Sequence, residues 1–226
     1  MKQIDINTIT FGNPTQEQLH FIKAYIRQHH NIIKVEDYPF PKNDSLVTIQ
    51  ELNNIVDSLD KISMDHNSTK LDDFLRINEN LDGALIGYFK EEFDFNFTEL
   101  IDKITQEFYP LIYKLKYYYN RPRPYQLASI LKLNLFPFQT TDTPSYPCGD
   151  VLLAKLILKA INQKHPELKE NCDNLVNVVA TSKIFLGQNY QSDIDFSFEI
   201  ADEIIKSETF KEAYLSNEKT NDANPK

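Results

Sequence analysis

The chain has 226 residues, of which 41% are hydrophobic and 25% charged, with a formal net charge of −9 and a pI near 5.1. That balance excludes a wholly disordered chain, and its acidity excludes a broad nucleic-acid-binding face, so any basic site has to be local. No apolar run approaches the roughly 18 to 20 residues of a membrane helix, and the longest candidate, 151–161, carries Lys155 and Lys159.

The first residues, Met1 to Asn7, show neither a basic segment followed by an apolar one nor a small-residue cleavage site. The expectation is an unsecreted, cytoplasmic protein. Cys148 and Cys172 are too few for a disulfide framework. Reduced thiols are the simpler assumption, with a single bridge left open. The length points to one helical domain over 1–216, with N-terminal helices to residue 95, a core from 96 to 206, and a polar, disordered tail over 217–226.

Residues 1–14 read as irregular. Thr15 and Gln18 then form a capping-box pattern ahead of Leu19, Ile22, Ala24 and Ile26. His20, His29 and His30 fall on the polar face of that helix, where adjacent histidines cannot converge on one metal. No metal and no cofactor are expected. After a loop at 38–45, Thr48 and Glu51 suit a second capping box, before the stripe Leu52, Ile55, Val56, Leu59 and Ile62. A turn at 65–69 leads to one continuous helix, with Leu71, Phe74, Leu75, Ile77, Leu81, Leu85, Ile86 and Phe89 at helical spacing. Gly83 and Gly87 within it either admit a neighbouring helix or merely weaken this one.

The clearest helix is 98–119, capped by Thr98 and striped by Leu100, Ile101, Ile104, Phe108, Leu111, Ile112 and Leu115. Pro110 predicts a kink or a split. A proline-rich, irregular run over 135–147 delivers the chain to a helix that starts at Cys148-Gly149-Asp150 and stops before His165-Pro166. Further helices are expected at 167–185 and 194–205. With no alternating strand pattern and no internal repeat, the fold class is all-α.

One stretch stands apart: Lys116, Arg121 and Arg123 lie among Tyr117, Tyr118, Tyr119 and Tyr125 in this acidic protein. Lys116 sits near a helix end, and Pro122 and Pro124 present the two arginines from a stiff exit, an anion site in outline. Two later segments complete a pattern. Lys116 is followed after six residues by Arg123-Pro124; then come Tyr146-Pro147-Cys148-Gly149-Asp150; then Ser182-Lys183, five residues, Asn189, three residues and Asp193. In order and spacing these resemble the three motifs of the type 2 phosphatidic acid phosphatase and vanadium haloperoxidase superfamily. Asn120 to Ala128, Thr143 to Pro147, and Gly187 are similar to its soluble bacterial members. The resemblance covers about 98–195.

The resemblance implies a helical bundle in which three motifs converge on one phosphate or vanadate. It assigns anion binding to Lys116, Arg123, Cys148, Gly149 and Lys183. The family's acid histidine falls on Asp150, its nucleophilic histidine on Asn189, and its orienting Asp on Asp193. Cys148 stands for a Ser and Lys183 for an Arg, which keeps the charge but loses the bidentate fork. Asn189 cannot form a phosphohistidine, and Asp150 sets a carboxylate beside the anion. No catalytic residues of the family's kind are therefore expected.

The expectation is a degenerate phosphate site used for anion binding, or a structural scaffold for a protein partner or larger assembly. In the latter, Lys116, Arg123 and Lys183 are tied up with Asp150 and Asp193. The alternative is a phosphoester hydrolase with a rearranged nucleophile, either Asp150 or Cys148 as a low-pKa thiolate at a helix N-terminus. The richness in Lys, Asn and Ile suits an AT-rich bacterial, viral or phage genome.

Overall fold

The computed structural model describes residues 5–28, 38–64 and 69–216, and all regular structure among them is helical. The main helices are α1 (Gln16–Gln28), α2 (Leu46–Met64), α3 (Thr69–Glu79), α4 (Leu81–Phe93), α5 (Thr98–Tyr119), α6 (Pro124–Leu131), α7 (Gly149–Lys164), α8 (Lys169–Phe185) and α9 (Gln191–Lys206). Two short turns, Glu208–Phe210 and Lys211–Leu215, close the described chain. The expected turn at 65–68, the histidines at 29, 30 and 66, and the tail at 217–226 lie outside the described residues. No helix is long and apolar enough to cross a membrane among those residues.

α7 is the centre of the bundle. Its Val151, Leu152, Leu153, Ala154, Leu156, Ile157 and Leu158 are all buried, the pattern of a helix covered on every side rather than on one stripe. α5, α8 and α9 pack against it, α1 lies on α5, and α3 lies on α8. A second apolar cluster, Leu52, Ile55 and Leu59 of α2 with Leu127 and Ala128 of α6, Leu135 and Tyr190, fastens α2 to the core. Because α5 and α7 are both held along their lengths, the end of one and the start of the other are fixed relative to each other.

The close approach of these two helices needs a glycine. A Cβ on Gly149 would stand 2.9 Å from Ile112 Cγ2 and 3.5 Å from Lys116 Cε, so even alanine would push the helices apart. Gly187 meets a different demand. It takes φ +74 at the end of α8, where its amide donates to the Ile184 carbonyl (3.0 Å) and the Gln188 amide to the Lys183 carbonyl (3.0 Å). This Schellman ending turns the chain so that Gln188 and Asn189 point back into the bundle.

Several local expectations need correction. The apolar run 71–89 is two helices: Asn80 caps α4 by accepting from the Gly83 amide (3.0 Å). A Cβ at Gly83 would meet that Asn80 side chain at 2.5 Å, so this glycine makes room for a cap rather than for a helix. α2 is capped by Ser45, whose hydroxyl accepts from the Thr48 amide (3.2 Å), which frees Glu51 from the box assigned to it. Thr98 does not cap α5; its own amide is met by Asn96 Oδ1 (3.0 Å). Of the kink or split expected at Pro110, the split does not occur: α5 is continuous through it, with one helical donor removed and α1 and α7 packed against the helix. Finally, the proline-rich exit hides a helix. Pro124 is the first residue of α6, where a missing amide costs nothing, and Gln126 Oε1 accepts from the Arg123 amide (2.8 Å). The Thr15–Gln18 box at α1 forms as the spacing predicts.

Candidate functional site

Where α5 ends, α7 begins and the α8–α9 connection returns, a cavity of about 190 Å³ opens, with Lys116, Arg123, Cys148, Gly149, Asp150 and Asn189 in its wall. Tyr109, Ile112 and Tyr113 join Lys116 on one face of α5, as their spacing of three, four and seven residues requires. A broader open depression, lined by Asn78, Glu79 and 137–142, adjoins it and shares Asn78, Thr141 and Asp142 with it.

Asn120 ends α5 in the left-handed conformation, its amide donating to the Lys116 carbonyl (2.8 Å). The turn sends the next two arginines to opposite sides. Arg123 is buried at the head of α6 and donates from Nε to the Thr143 carbonyl (2.7 Å), from NH1 to the Gln188 carbonyl (2.9 Å) and Asn189 Oδ1 (3.0 Å), and from NH2 to Thr143 Oγ1 (3.2 Å). Lys116, also buried, donates to the Pro144 carbonyl (2.6 Å). Neither cation forms an ion pair among the described residues. Burial, and then the neighbouring Arg123 charge, push the Lys116 pKa down to about 7.

Arg121 does not serve this cavity, contrary to the reading that grouped it with Lys116 and Arg123. Fully buried, it donates to Asp193 Oδ1 (2.7 Å), Ser192 Oγ (2.8 Å) and Glu51 Oε2 (3.3 Å), and its guanidinium lies 3.9 Å from the Tyr190 ring centre. Glu51 also accepts from the Ser192 amide (2.5 Å). Burial raises the Glu51 pKa, against the pull of Arg121. Asp193, with no exposed surface, turns its other oxygen to the Tyr190 amide (2.9 Å) and Asn189 Nδ2 (3.1 Å). This network joins α2, the α5–α6 turn and α9, and it touches the cavity wall through Asn189.

Asn189 is fixed at both ends of its amide: Oδ1 accepts from Arg123, and Nδ2 donates to the Ser145 carbonyl (2.8 Å) and to Asp193. Lys183 is absent from the wall. It stands behind Asp150, ion-paired with Asp150 Oδ2 and bonded to Asn78 Oδ1 (2.6 Å). Burial would raise the Asp150 pKa, but the charge and hydrogen bond of Lys183, with the pull of Lys116 and Arg123 added, outweigh it and hold the carboxyl below its usual range. The Cys148 thiol is buried and its pKa raised, by desolvation first and Asp150 second. This speaks against the low-pKa thiolate of the alternative reading, because the lysines' pull is weaker than the loss of water.

Sequence reasoning counted Thr143 to Pro147 in the resemblance but missed the role of Thr143, Pro144 and Ser145, whose successive carbonyls hold Arg123, Lys116 and Asn189. No side-chain pattern marks a backbone acceptor. It also missed Glu51, Asn78 and Gln188, which come from distant segments. Among the described residues, no group of three His, Cys, Asp or Glu side chains is placed to hold a metal ion. No model of a known protein family matches the chain, and no curated protein matches it in sequence.

Proposed function

We propose that the chain is a degenerate member of the type 2 phosphatidic acid phosphatase and vanadium haloperoxidase superfamily, one that keeps an anion cradle and has lost the reaction. It holds phosphate or a phosphoester, and the packed remainder of the site serves as scaffold. The observation that carries this reading is the pair Lys116 and Arg123. Two buried cations share one cavity wall and neither is ion-paired among the described residues, since Asp150 in the same wall is paired with Lys183 and Asp193 with Arg121. Two like charges buried side by side without ion pairs of their own are costly, and an oxyanion is the ligand that relieves it. The first turn of α7, capped at Cys148, adds the partial positive charge of a helix N-terminus.

Inactivity follows from what the wall lacks. No histidine lines the cavity among the described residues, and the Asn189 amide has both ends engaged and no basic lone pair to offer. The Cys148 thiol is held protonated and Asp150 is tied to Lys183, which disfavours both stand-in nucleophiles. The expected result with p-nitrophenyl phosphate between about pH 5 and 8 is no turnover above background. The triple reversion Cys148→Ser, Asp150→His and Asn189→His is expected to gain it. Turnover by the natural chain that Arg123→Ala abolishes would overturn the inactive reading in favour of a rearranged hydrolase.

A further inference from the structure

The anion cavity contains a carboxylate, and that constrains which anion fits. Asp150 lines the wall beside Gly149, and its side chain keeps 37% of its surface exposed. Lys183 engages one oxygen, Oδ2. Among the described residues the other, Oδ1, accepts no hydrogen bond. The same cavity is lined by donors with capacity to spare. An ammonium has three N–H groups and Lys116 spends one, on Pro144; a guanidinium has five and Arg123 spends four.

We infer that the cavity selects a tetrahedral oxyanion that still carries a proton, such as hydrogen phosphate, over a fully ionised one such as sulfate, with Asp150 Oδ1 accepting the anion's proton. This rests on the anion-binding reading above and adds its selectivity.

The physical reason is one of hydrogen-bond matching. Phosphate and sulfate share shape and size, and at about pH 5.5 sulfate carries the greater charge, so Lys116 and Arg123 alone would favour sulfate. Only an anion with an O–H can face a carboxylate with a bond rather than with repulsion, and charge-assisted O–H···O⁻ bonds are among the stronger ones. Sulfate would bring two unprotonated oxygens against Asp150, leaving acceptor facing acceptor in a partly dry site, where such mismatches cost most. The other charges do not erase this contrast. Lys183 is committed to Asp150 and Asn78. Asp193 is committed to Arg121. Asp142 lines both the cavity and the open depression, with Gln18 Nε2 donating to it (3.4 Å). Tyr109 and Tyr113 have raised pKa values through burial and stay neutral. Asp150, held ionised by Lys183, remains an acceptor in mildly acidic solution.

Isothermal titration at about pH 5.5 tests this directly, since inorganic phosphate is protonated there and sulfate is not. Heats are preferable to melting shifts, because both salts stabilise proteins generally by exclusion. The natural chain is expected to bind phosphate at least about tenfold more tightly than sulfate, and Asp150→Asn to lose most of that preference by gaining sulfate affinity. Sulfate binding as tight as phosphate would overturn the selectivity and leave the anion site standing. A preference that survives Asp150→Asn would overturn the role of Asp150. If neither anion binds the natural chain, the anion-site reading itself falls, and this inference with it.

Discussion

Replacing Arg121 by methionine is expected to lower stability by about 3–5 kcal/mol, the scale found when one partner of a buried charge network is removed. Asp193 and Glu51 would be left buried without their cation, and the Tyr190 ring would lose the guanidinium lying over it. Arg123→Met should cost clearly less, because its partners are carbonyls and an amide rather than carboxylates. Urea unfolding of the two variants, read as a shift in midpoint at unchanged slope, checks the contrast. Equal losses would mean that the division of labour between the two arginines is wrong. Only the Arg123 variant is expected to lose phosphate.

The second large effect is a pH dependence centred on Lys116. Its pKa falls from the ordinary 10.5 to about 7 in the folded chain. Between those values the unfolded chain binds a proton that the folded chain does not, so stability rises with pH across that window and is lowest below about pH 7. At about 1.4 kcal/mol per pH unit, the full difference is about 5 kcal/mol. Lys116→Met removes the penalty. It should be more stable than the natural chain near pH 6 by a few kcal/mol, with the gap narrowing steadily as the pH rises to 9. Taking the difference between the two chains cancels the cysteines and tyrosines that titrate above that range. A gap that does not change with pH would place the Lys116 charge elsewhere than in a dry wall.

These two predictions mark the line between what the residues disclosed and what only the packing could. The helices at 98–119 and 149–164 were readable because an apolar stripe or a wholly apolar core repeats at helical spacing over many turns. The stripe 71–89 misled for the same reason. Phe74, Ile77, Leu81 and Leu85 keep one period across Asn80, while the break depends on a single cap bond to Gly83. Prolines 122 and 124 signalled a stop, and they also signal a start, since a proline suits the first position of a helix.

At the site, it was the resemblance to a known family's three motifs, not the spacing by itself, that grouped Lys116, Arg123, Cys148, Gly149, Asp150 and Asn189, and the structure sets these six around one cavity. The partition of Arg121 from Arg123 was not legible, because it is decided by Glu51 on α2 and Tyr190 beside α9. Nor was the placement of Lys183, which follows from Asn78 and Asp150 approaching it from α3 and α7. Charges near one another in sequence say that a cation is present; which carboxylate neutralises it depends on the packing of helices far apart in the chain.

The central claim is that Lys116 and Arg123 form a cradle for one oxyanion. Calorimetric titration of the natural chain and of Arg123→Ala with inorganic phosphate near pH 6 tests it most directly. The account predicts a single phosphate site per chain in the natural protein, with affinity lowered at least about tenfold in the variant. No saturable binding, or binding that Arg123→Ala leaves unchanged, would contradict it.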